Sequence, residues 1–143
     1  MVLTTGQRFL FLGDSITEAD PGYTRLFAAM MAVRHPLLDV DWVHRGVSGN
    51  KVTDVAERLT RDVLAAKPDW VSIAIGINDV WHGFMPGHEG VPLPTFRRVY
   101  RDIVGELVSH GIRLVLVTPT IIQEDQDSQE NHALEPYGET VRR

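Results

Sequence analysis

Cysteine is absent from this 143-residue sequence. Disulfide bonds, thiol nucleophiles and zinc sites with cysteine ligands are therefore excluded, and the chain suits a reducing compartment. Basic clusters are absent too, because the net charge is -5 and lysine and arginine never occur in more than pairs. A protein that binds nucleic acid or an anionic membrane needs a basic patch, so we expect neither partner.

Long apolar stretches are also missing. No run approaches the ~18 apolar residues of a membrane-spanning helix, and residues 1–13 lack the charged start and apolar core of a signal peptide. These absences predict a cytoplasmic protein. The hydrophobic content of 43% is still enough to build a core, and the length fits one domain on the usual scale of about 100–200 residues.

Short apolar runs alternate with segments of helical periodicity along the chain. Strands are predicted at residues 8–13, 40–45, 70–75 and 113–118, and helices at 23–34, 53–67 and 95–109. The acidic stretch at 123–131 predicts a solvated loop, and the last ten residues predict the start of another helix. This alternation indicates an α/β domain whose parallel sheet is covered on both faces.

The fourth predicted strand has no partner strand after it. An α/β chain usually closes each helix with a further strand, but here only a short helical segment follows. The strand at 113–118 would then form an open apolar edge, which is prone to pair with another chain. We therefore expect a single domain over residues 1–143 that lacks a C-terminal helix–strand–helix portion. A homo-oligomer, or another association through the uncovered edge, is also expected.

Small polar turns follow each of the first three predicted strands. They read GDS at 13–15, GVSGN at 46–50 and GIND at 76–79. Ligands of open α/β sheets bind beyond the carboxyl ends of the strands, so these turns are expected to converge on one cleft.

The three turns carry complementary chemistry for acyl transfer. Ser15 would be a nucleophile at a strand-to-helix turn. The backbone N–H groups of Ser15 and Gly49 and the side-chain amide of Asn78 are donors suited to an oxyanion, each typically contributing about 3 kcal/mol. Glycine at position 49 lets a substrate oxygen approach the amide. Each turn alone is common, but their order after three successive strands is specific.

The three turns resemble the sequence blocks of the SGNH hydrolases, also called GDSL esterases and lipases. FLGDSIT is similar to the first block of that family, RGVSGN to the second and IGINDVW to the third. The resemblance is strongest to bacterial acetyl-xylan-esterase-like carbohydrate deacetylases. It implies a flavodoxin-like three-layer α/β/α sandwich without a metal or organic cofactor. It also implies that Ser15 is the nucleophile and that Ser15, Gly49 and Asn78 form the oxyanion hole.

The C-terminal block that carries the catalytic acid and base of that family is missing from this sequence. In the family it reads Asp-x-x-His and follows the last strand, but no Asp-x-x-His occurs after the fourth predicted strand here, and a serine hydroxyl is a poor nucleophile without a base. His82 is the best candidate among the six histidines, with substrate contact or an exposed loop position as its alternatives. Otherwise the histidine is expected from a separate chain or a further C-terminal segment.

Other residues near the turns have two possible roles each. Asp14 is expected to hold its loop by accepting backbone N–H bonds, with substrate contact as the alternative. Tyr23 and Trp81 would line the pocket or pack against it, and Trp81 could stack on a sugar. Asp79 is expected to cap the helix or turn after the third strand, and His44 to be packed within the second.

These observations predict a serine ester hydrolase that removes acetyl groups from acetylated sugars or short oligosaccharides. Two alternatives stay open. The first is a flavodoxin-like phosphate- or nucleotide-binding module with residues 13–17 as the cradle, which leaves Gly49 and Asn78 without a role. The second is a catalytically inactive member of the family that binds sugar.

Overall fold

The computed structural model describes residues 3–143, and a parallel sheet of four strands lies at its centre. The strands are β1 (Gln7–Gly13), β2 (Val40–Gly46), β3 (Trp70–Ala74) and β4 (Arg113–Val117). The helices are α1 (Ser15–Glu18), α2 (Tyr23–Arg34), α3 (Val52–Asp62), α4 (Ile77–Trp81), α5 (Leu93–Ser109) and α6 (Gln129–Arg142). Single 3-10 turns follow α3 at Leu64–Ala66 and α4 at His82–Phe84.

All four predicted strands are confirmed, and so is the helix at 23–34. Helix α5 begins two residues earlier than predicted, because Pro94 fits the first turn of a helix, where no N–H is needed. The predicted loop at 123–131 is wrong in its last part. Helix α6 already begins at Gln129, since the Ser128 side chain caps it by accepting a hydrogen bond from Asn131 N (3.2 Å).

Alternating side chains of the strands build two separate apolar layers. One face of the sheet, with Leu10, Leu12, Val71 and Ile73, packs against α3, α5 and α6. The other face is mainly aromatic and packs against α2. This layer contains Phe9, Phe11, Trp42 and Trp70 of the strands together with Tyr23 and Phe27 of α2. The predicted three-layer α/β/α architecture is thus confirmed.

The strand order is β2-β1-β3-β4, so β2 is added on one side of β1, and β3 and β4 on the other. The point at which the strand order reverses therefore lies between β1 and β3. Ligands of open parallel sheets bind in the crevice outside such a point. The register aligns the strand ends, because Gly13 pairs with Gly46 and with Ala74, and Ala74 pairs with Val117. The turns that follow β1, β2 and β3 therefore begin at the same level of the sheet.

Strand β4 is an edge strand, as the sequence predicts. Leu116 on this strand is 40% exposed, whereas the Arg113 guanidinium lies over the Trp70 ring, 4.5 Å from its centroid. Within residues 3–143, every helix is too short or too polar to cross a bilayer.

Candidate active site

Ser15 is the first residue of α1, directly beyond the carboxyl end of β1. Asp14 caps this helix, since its carboxylate accepts a hydrogen bond from Ile16 N (3.0 Å). Asp14 is almost fully buried, and burial raises the pKa of its carboxyl, while the bond from Ile16 N acts in the opposite direction. This is the loop-holding contact that the sequence predicts; contact of Asp14 with substrate stays a prediction. Ser15 itself is exposed at the mouth of the turn.

Tyr23 connects the start of α2 to the serine-bearing helix. Its hydroxyl is hydrogen-bonded to Thr17 Oγ1 (3.0 Å), and burial raises the pKa of the phenol. Tyr23, Asp14 and Ile16 form one wall of a cavity of about 220 Å³, which reaches across to Ile77 and to residues 117–120. Open space therefore lies beside both neighbours of Ser15.

The turn after β2 is fastened to the turn after β1. Val47 N donates to Gly13 O (3.1 Å), and Ser48 N donates to a carboxylate oxygen of Glu18 (2.9 Å). Gly49 has a φ of +76°, a left-handed conformation that side chains rarely adopt, and no atom lies within 4 Å of where its Cβ would be. Open space in front of Gly49 leaves room for a ligand atom to approach the backbone.

Asn78 lies in the first turn of α4 and is buried. Its side-chain Nδ2 donates to Asn50 O (3.0 Å), which joins the turn after β3 to the turn after β2. Among the described residues the amide makes no other hydrogen bond, so its second N–H can donate to another acceptor. Hydrogen bonds thus link all three predicted turns at one edge of the sheet.

Asp79 does not cap the helix or turn after β3, contrary to the sequence prediction. Both oxygens of its carboxylate accept from Val52 N (3.0 and 3.2 Å), which is the first residue of α3. Helix α4 has Gly76 at its N-cap position instead. Burial raises the pKa of Asp79 to about 7, although the Val52 N–H lowers it in part. The contact spans 27 residues, a separation at which local spacing gives no signal.

His82 follows α4 and makes no hydrogen bond to Ser15 among the described residues. The centroid of its ring lies 5.4 Å from that of the His88 ring. Burial lowers the pKa of His82 most, and the nearby His88 and Lys51 lower it further. Within residues 3–143, no histidine ring is hydrogen-bonded to Ser15; the rings of His88 and His110 bond to backbone carbonyl oxygens instead. The hypothesis that His82 is the base therefore has no contact to support it.

Exposed apolar side chains surround the three turns. Ile16, Val47 and Trp81 are each between 38 and 39% exposed, and each lies in or next to a different turn. His44, in contrast, is packed in β2 with its ring stacked on Phe11 at 5.3 Å. Exposed apolar groups beside polar turns are typical of a ligand-binding surface, and a role of Trp81 or His82 in holding substrate stays a prediction.

Arg58 is a buried residue of the site that the sequence interpretation missed. Its guanidinium donates to Gly13 O and to Arg45 O, both at 3.0 Å, and to Asn50 Oδ1 at 2.7 Å. The available signal was its position on α3, where it shares the face of Val55 and Leu59. An arginine on the apolar face of a helix must have buried partners.

Comparisons with known proteins agree with this geometry. Residues 11–143 match the GDSL-like lipase/acylhydrolase family. An acetylxylan esterase of Geobacillus stearothermophilus is 33% identical over 159 aligned positions, which cover 99% of this chain and 73% of that protein. A solved structure of an acetylxylan esterase from the same organism superposes with a TM-score of 0.89 at 34% identity, again covering 99% and 73% of the two chains.

Two further findings bear on the site. An alpha/beta hydrolase from the metagenome of Lake Arreo superposes with a TM-score of 0.90 at 28% identity, covering 98% of this chain and 72% of its own. Structures of the Geobacillus stearothermophilus esterase include catalytic mutants in which a serine, an aspartate or a histidine is replaced. The replaced serine carries the same number as Ser15 of this chain.

Proposed function

Because the chain belongs to the GDSL-like lipase/acylhydrolase family, we propose that it uses Ser15 to remove short acyl groups, chiefly acetyl, from acylated sugars or short oligosaccharides. Family membership and the similar acetylxylan esterase make the protein a carboxylic ester hydrolase. The observation that carries the serine mechanism is the hydrogen-bonded junction of the three turns, in which Asn78 Nδ2 donates to Asn50 O and Val47 N donates to Gly13 O.

The proposed reaction has two halves. Ser15 Oγ attacks the carbonyl carbon of the ester while its proton passes to a base, and the carbonyl oxygen becomes an oxyanion. The N–H groups of Ser15 and Gly49 and the Asn78 amide donate to that oxyanion. The C–O bond to the sugar then breaks, and the sugar oxygen takes the proton from the base and leaves as a hydroxyl group. Water finally hydrolyses the acyl-serine, which releases the carboxylic acid and restores the serine.

The base is the component that the described residues do not hold beside Ser15. No histidine ring within residues 3–143 is hydrogen-bonded to the serine. We therefore place the base on an imidazole that reaches Ser15 from another segment or another chain. The 220 Å³ cavity beside Asp14 and Ile16 supports this, because it offers space next to the serine-bearing turn.

The substrate class follows from the relatives and from the surface around the turns. The similar enzyme is named for acetylated xylan, and an acetylated xylooligosaccharide has the apolar sugar faces that stack on aromatic rings. Trp81, which is exposed next to the turn after β3, is the side chain we assign to that contact. We expect an acetylated xylooligosaccharide to be hydrolysed faster than a p-nitrophenyl ester of a long fatty acid.

Hydrolysis of p-nitrophenyl acetate by the parent protein, Ser15→Ala and Ser48→Ala tests the serine. Ser48 is an exposed serine in the neighbouring turn, so it is a matched control. With imidazole added as the base, we expect kcat of Ser15→Ala to fall at least about tenfold below that of the parent, because the acyl-serine route is lost, and kcat of Ser48→Ala to stay within about threefold of the parent value. Equal rates for the parent and Ser15→Ala, with and without imidazole, would exclude Ser15 as the nucleophile.

Added imidazole separates the role of the serine from the source of the base. If the base comes from elsewhere, free imidazole should raise the rate of the parent well above that of Ser15→Ala, because it can take the serine proton. The Ser15→Ala protein corrects for direct hydrolysis of the ester by imidazole. A parent rate that is high and insensitive to imidazole would instead assign the base to a histidine of this chain, beginning with His82.

An inactive sugar-binding protein is the competing hypothesis. It predicts saturable binding of an acetylated xylooligosaccharide in calorimetry, with no acetate released by the parent in the presence of imidazole. The buried Asn78 amide with one unused N–H favours catalysis, because a ligand-binding role does not require a donor at the oxyanion position.

We also propose that the molecule associates through the open edge of β4. Leu116 on this edge is exposed and lines a groove of about 410 Å³ between β4, α5 and α6, together with three arginines, Arg97, Arg101 and Arg143. The buried Tyr100 hydroxyl in the same groove has no hydrogen-bond partner among the described residues. An added strand of acidic character, from a second copy or another segment, would pair with the open edge of β4 and with the three arginines.

A further inference from the structure

Arg58 is a buried cation at the junction of the three turns. Only 6% of the residue is exposed, and burial of a guanidinium costs free energy unless its N–H groups are paired. Asp62, one helical turn later, provides the charge partner, with a carboxylate oxygen 3.2 Å from Arg58 Nη1. The other hydrogen bonds of Arg58 go to the ends of β1 and β2 and to the turn after β2.

One nitrogen of Arg58 holds the ends of two neighbouring strands. The Nη2 atom donates to Gly13 O at the end of β1 and to Arg45 O near the end of β2, each at 3.0 Å. Gly13 O is two residues before Ser15, and it also accepts the bond from Val47 N. The carboxyl ends of β1 and β2 are thus fixed to each other beyond their own ladder of hydrogen bonds.

The Nε atom of Arg58 holds the turn that contains Gly49. It donates to Asn50 Oδ1 at 2.7 Å, while the backbone oxygen of Asn50 accepts from Asn78 Nδ2 at 3.0 Å. Asn50 is therefore fixed on one side by Arg58 and on the other by Asn78. The planar guanidinium makes these contacts in one rigid geometry, which a lysine ammonium cannot reproduce.

We propose that Arg58, acting through Asn50, is a positioning residue that sets the spacing of the Ser15, Gly49 and Asn78 donors. This inference rests on the proposed function, because the donors matter only if an oxyanion forms between them. Arg58 touches no reacting atom. It maintains the geometry on which transition-state stabilisation depends, and displacement by about 1 Å can cost a hundredfold in rate.

The test compares Arg58→Met and Arg58→Lys with Arg61→Met in the p-nitrophenyl acetate assay, with imidazole added to every reaction. Arg61 lies on the same helix and also pairs with Asp62, but it is exposed, so it controls for loss of that ion pair. We expect kcat of Arg58→Met to fall about a hundredfold while KM changes less than about threefold. The kcat of Arg58→Lys should remain at least about tenfold below that of the parent. The kcat of Arg61→Met should equal that of the parent.

Amide hydrogen exchange tests the same geometry without turnover. Val47 N donates to Gly13 O and Asn50 N donates to Val47 O, so Arg58→Met should raise the exchange rates of both amides about tenfold or more, with Ile103 of α5 unchanged. A uniform rise in all helices would make Arg58 a residue of global stability and overturn the proposal. Unchanged kcat together with unchanged exchange at Val47 and Asn50 would overturn it as well.

Asn50→Ala keeps the inference falsifiable if Arg58→Met does not fold. It removes one acceptor from a half-buried loop position, and we expect it to lower kcat in the same direction and to speed exchange at Val47. An Asn50→Ala protein with parental kcat and exchange would contradict the proposal. If the parent shows no Ser15-dependent turnover, the proposed function fails, whereas the exchange rates still decide whether Arg58 fixes the turns.

Discussion

The fold strongly alters the ionisation of Asp79. Burial raises its pKa from 3.8 to about 7, so the folded protein keeps a proton that the unfolded chain has already released. The stability from this proton is fully present below pH 3.8 and is lost as the pH rises to about 7. Above that range the buried carboxylate is charged, and the contribution of Asp79 to the free energy of unfolding is at its lowest.

Asp79→Asn should remove this pH dependence. Asparagine keeps an oxygen that can accept from Val52 N, and it cannot ionise. The free energy of unfolding of the variant should therefore rise relative to that of the parent, by up to about 4 kcal/mol between about pH 4 and pH 8. Urea denaturation at the two pH values measures the difference, and Asp102→Asn, at an exposed position on α5, is the control. A stability difference that does not change with pH would show that Asp79 ionises normally.

At the scale of elements, the short helix α1 depends on its close approach to β2. A Cβ on Gly46 would lie 2.2 Å from Glu18 N, a backbone atom that cannot move without moving the helix. We expect Gly46→Ala to cost about 1–3 kcal/mol, as other overpacking substitutions do, and to reduce hydrolysis because Ser15 is on the displaced helix.

Gly105→Ala is the matched control for that substitution. Gly105 lies inside α5 with nothing within 4 Å of its Cβ position, so alanine should stabilise the helix by up to about 1 kcal/mol. Urea denaturation and the acetate-ester assay on both proteins measure the contrast. A Gly46→Ala protein with parental stability and activity would show that α1 does not depend on this contact.

The long elements could be predicted from the sequence because they have clear periodicity, but α1 and α4 could not. Each of these two helices has only four or five residues, too few for a repeat, and each begins at a turn that local spacing marks only as polar. The same limit applies to the site. Ser15, Gly49 and Asn78 follow predicted strands, whereas Arg58 and Asp79 bind groups far along the chain, which only the folded geometry reveals.

At the scale of the whole molecule, the proposed association through the open edge of β4 can be tested. We expect the parent to have an apparent mass above the 16.0 kDa of one chain in light scattering at high concentration. Leu116→Lys should shift the mass toward one chain, because a charge at an edge strand blocks strand pairing. Val108→Lys, at an exposed position on α5, is the control, and an unchanged mass in Leu116→Lys would point to a different contact surface.

The central position of β1 has a consequence for synthesis on the ribosome. Both neighbours of β1 come later in the chain, β2 first and β3 second, and the hydrogen bonds that join the three turns involve only residues 13–78. Chains fold from the N-terminus as they emerge. The part of the molecule that carries the three turns can therefore assemble while β4 is still in the exit tunnel. Until β4 emerges, the outer side of β3 is the surface that nascent-chain chaperones have to shield.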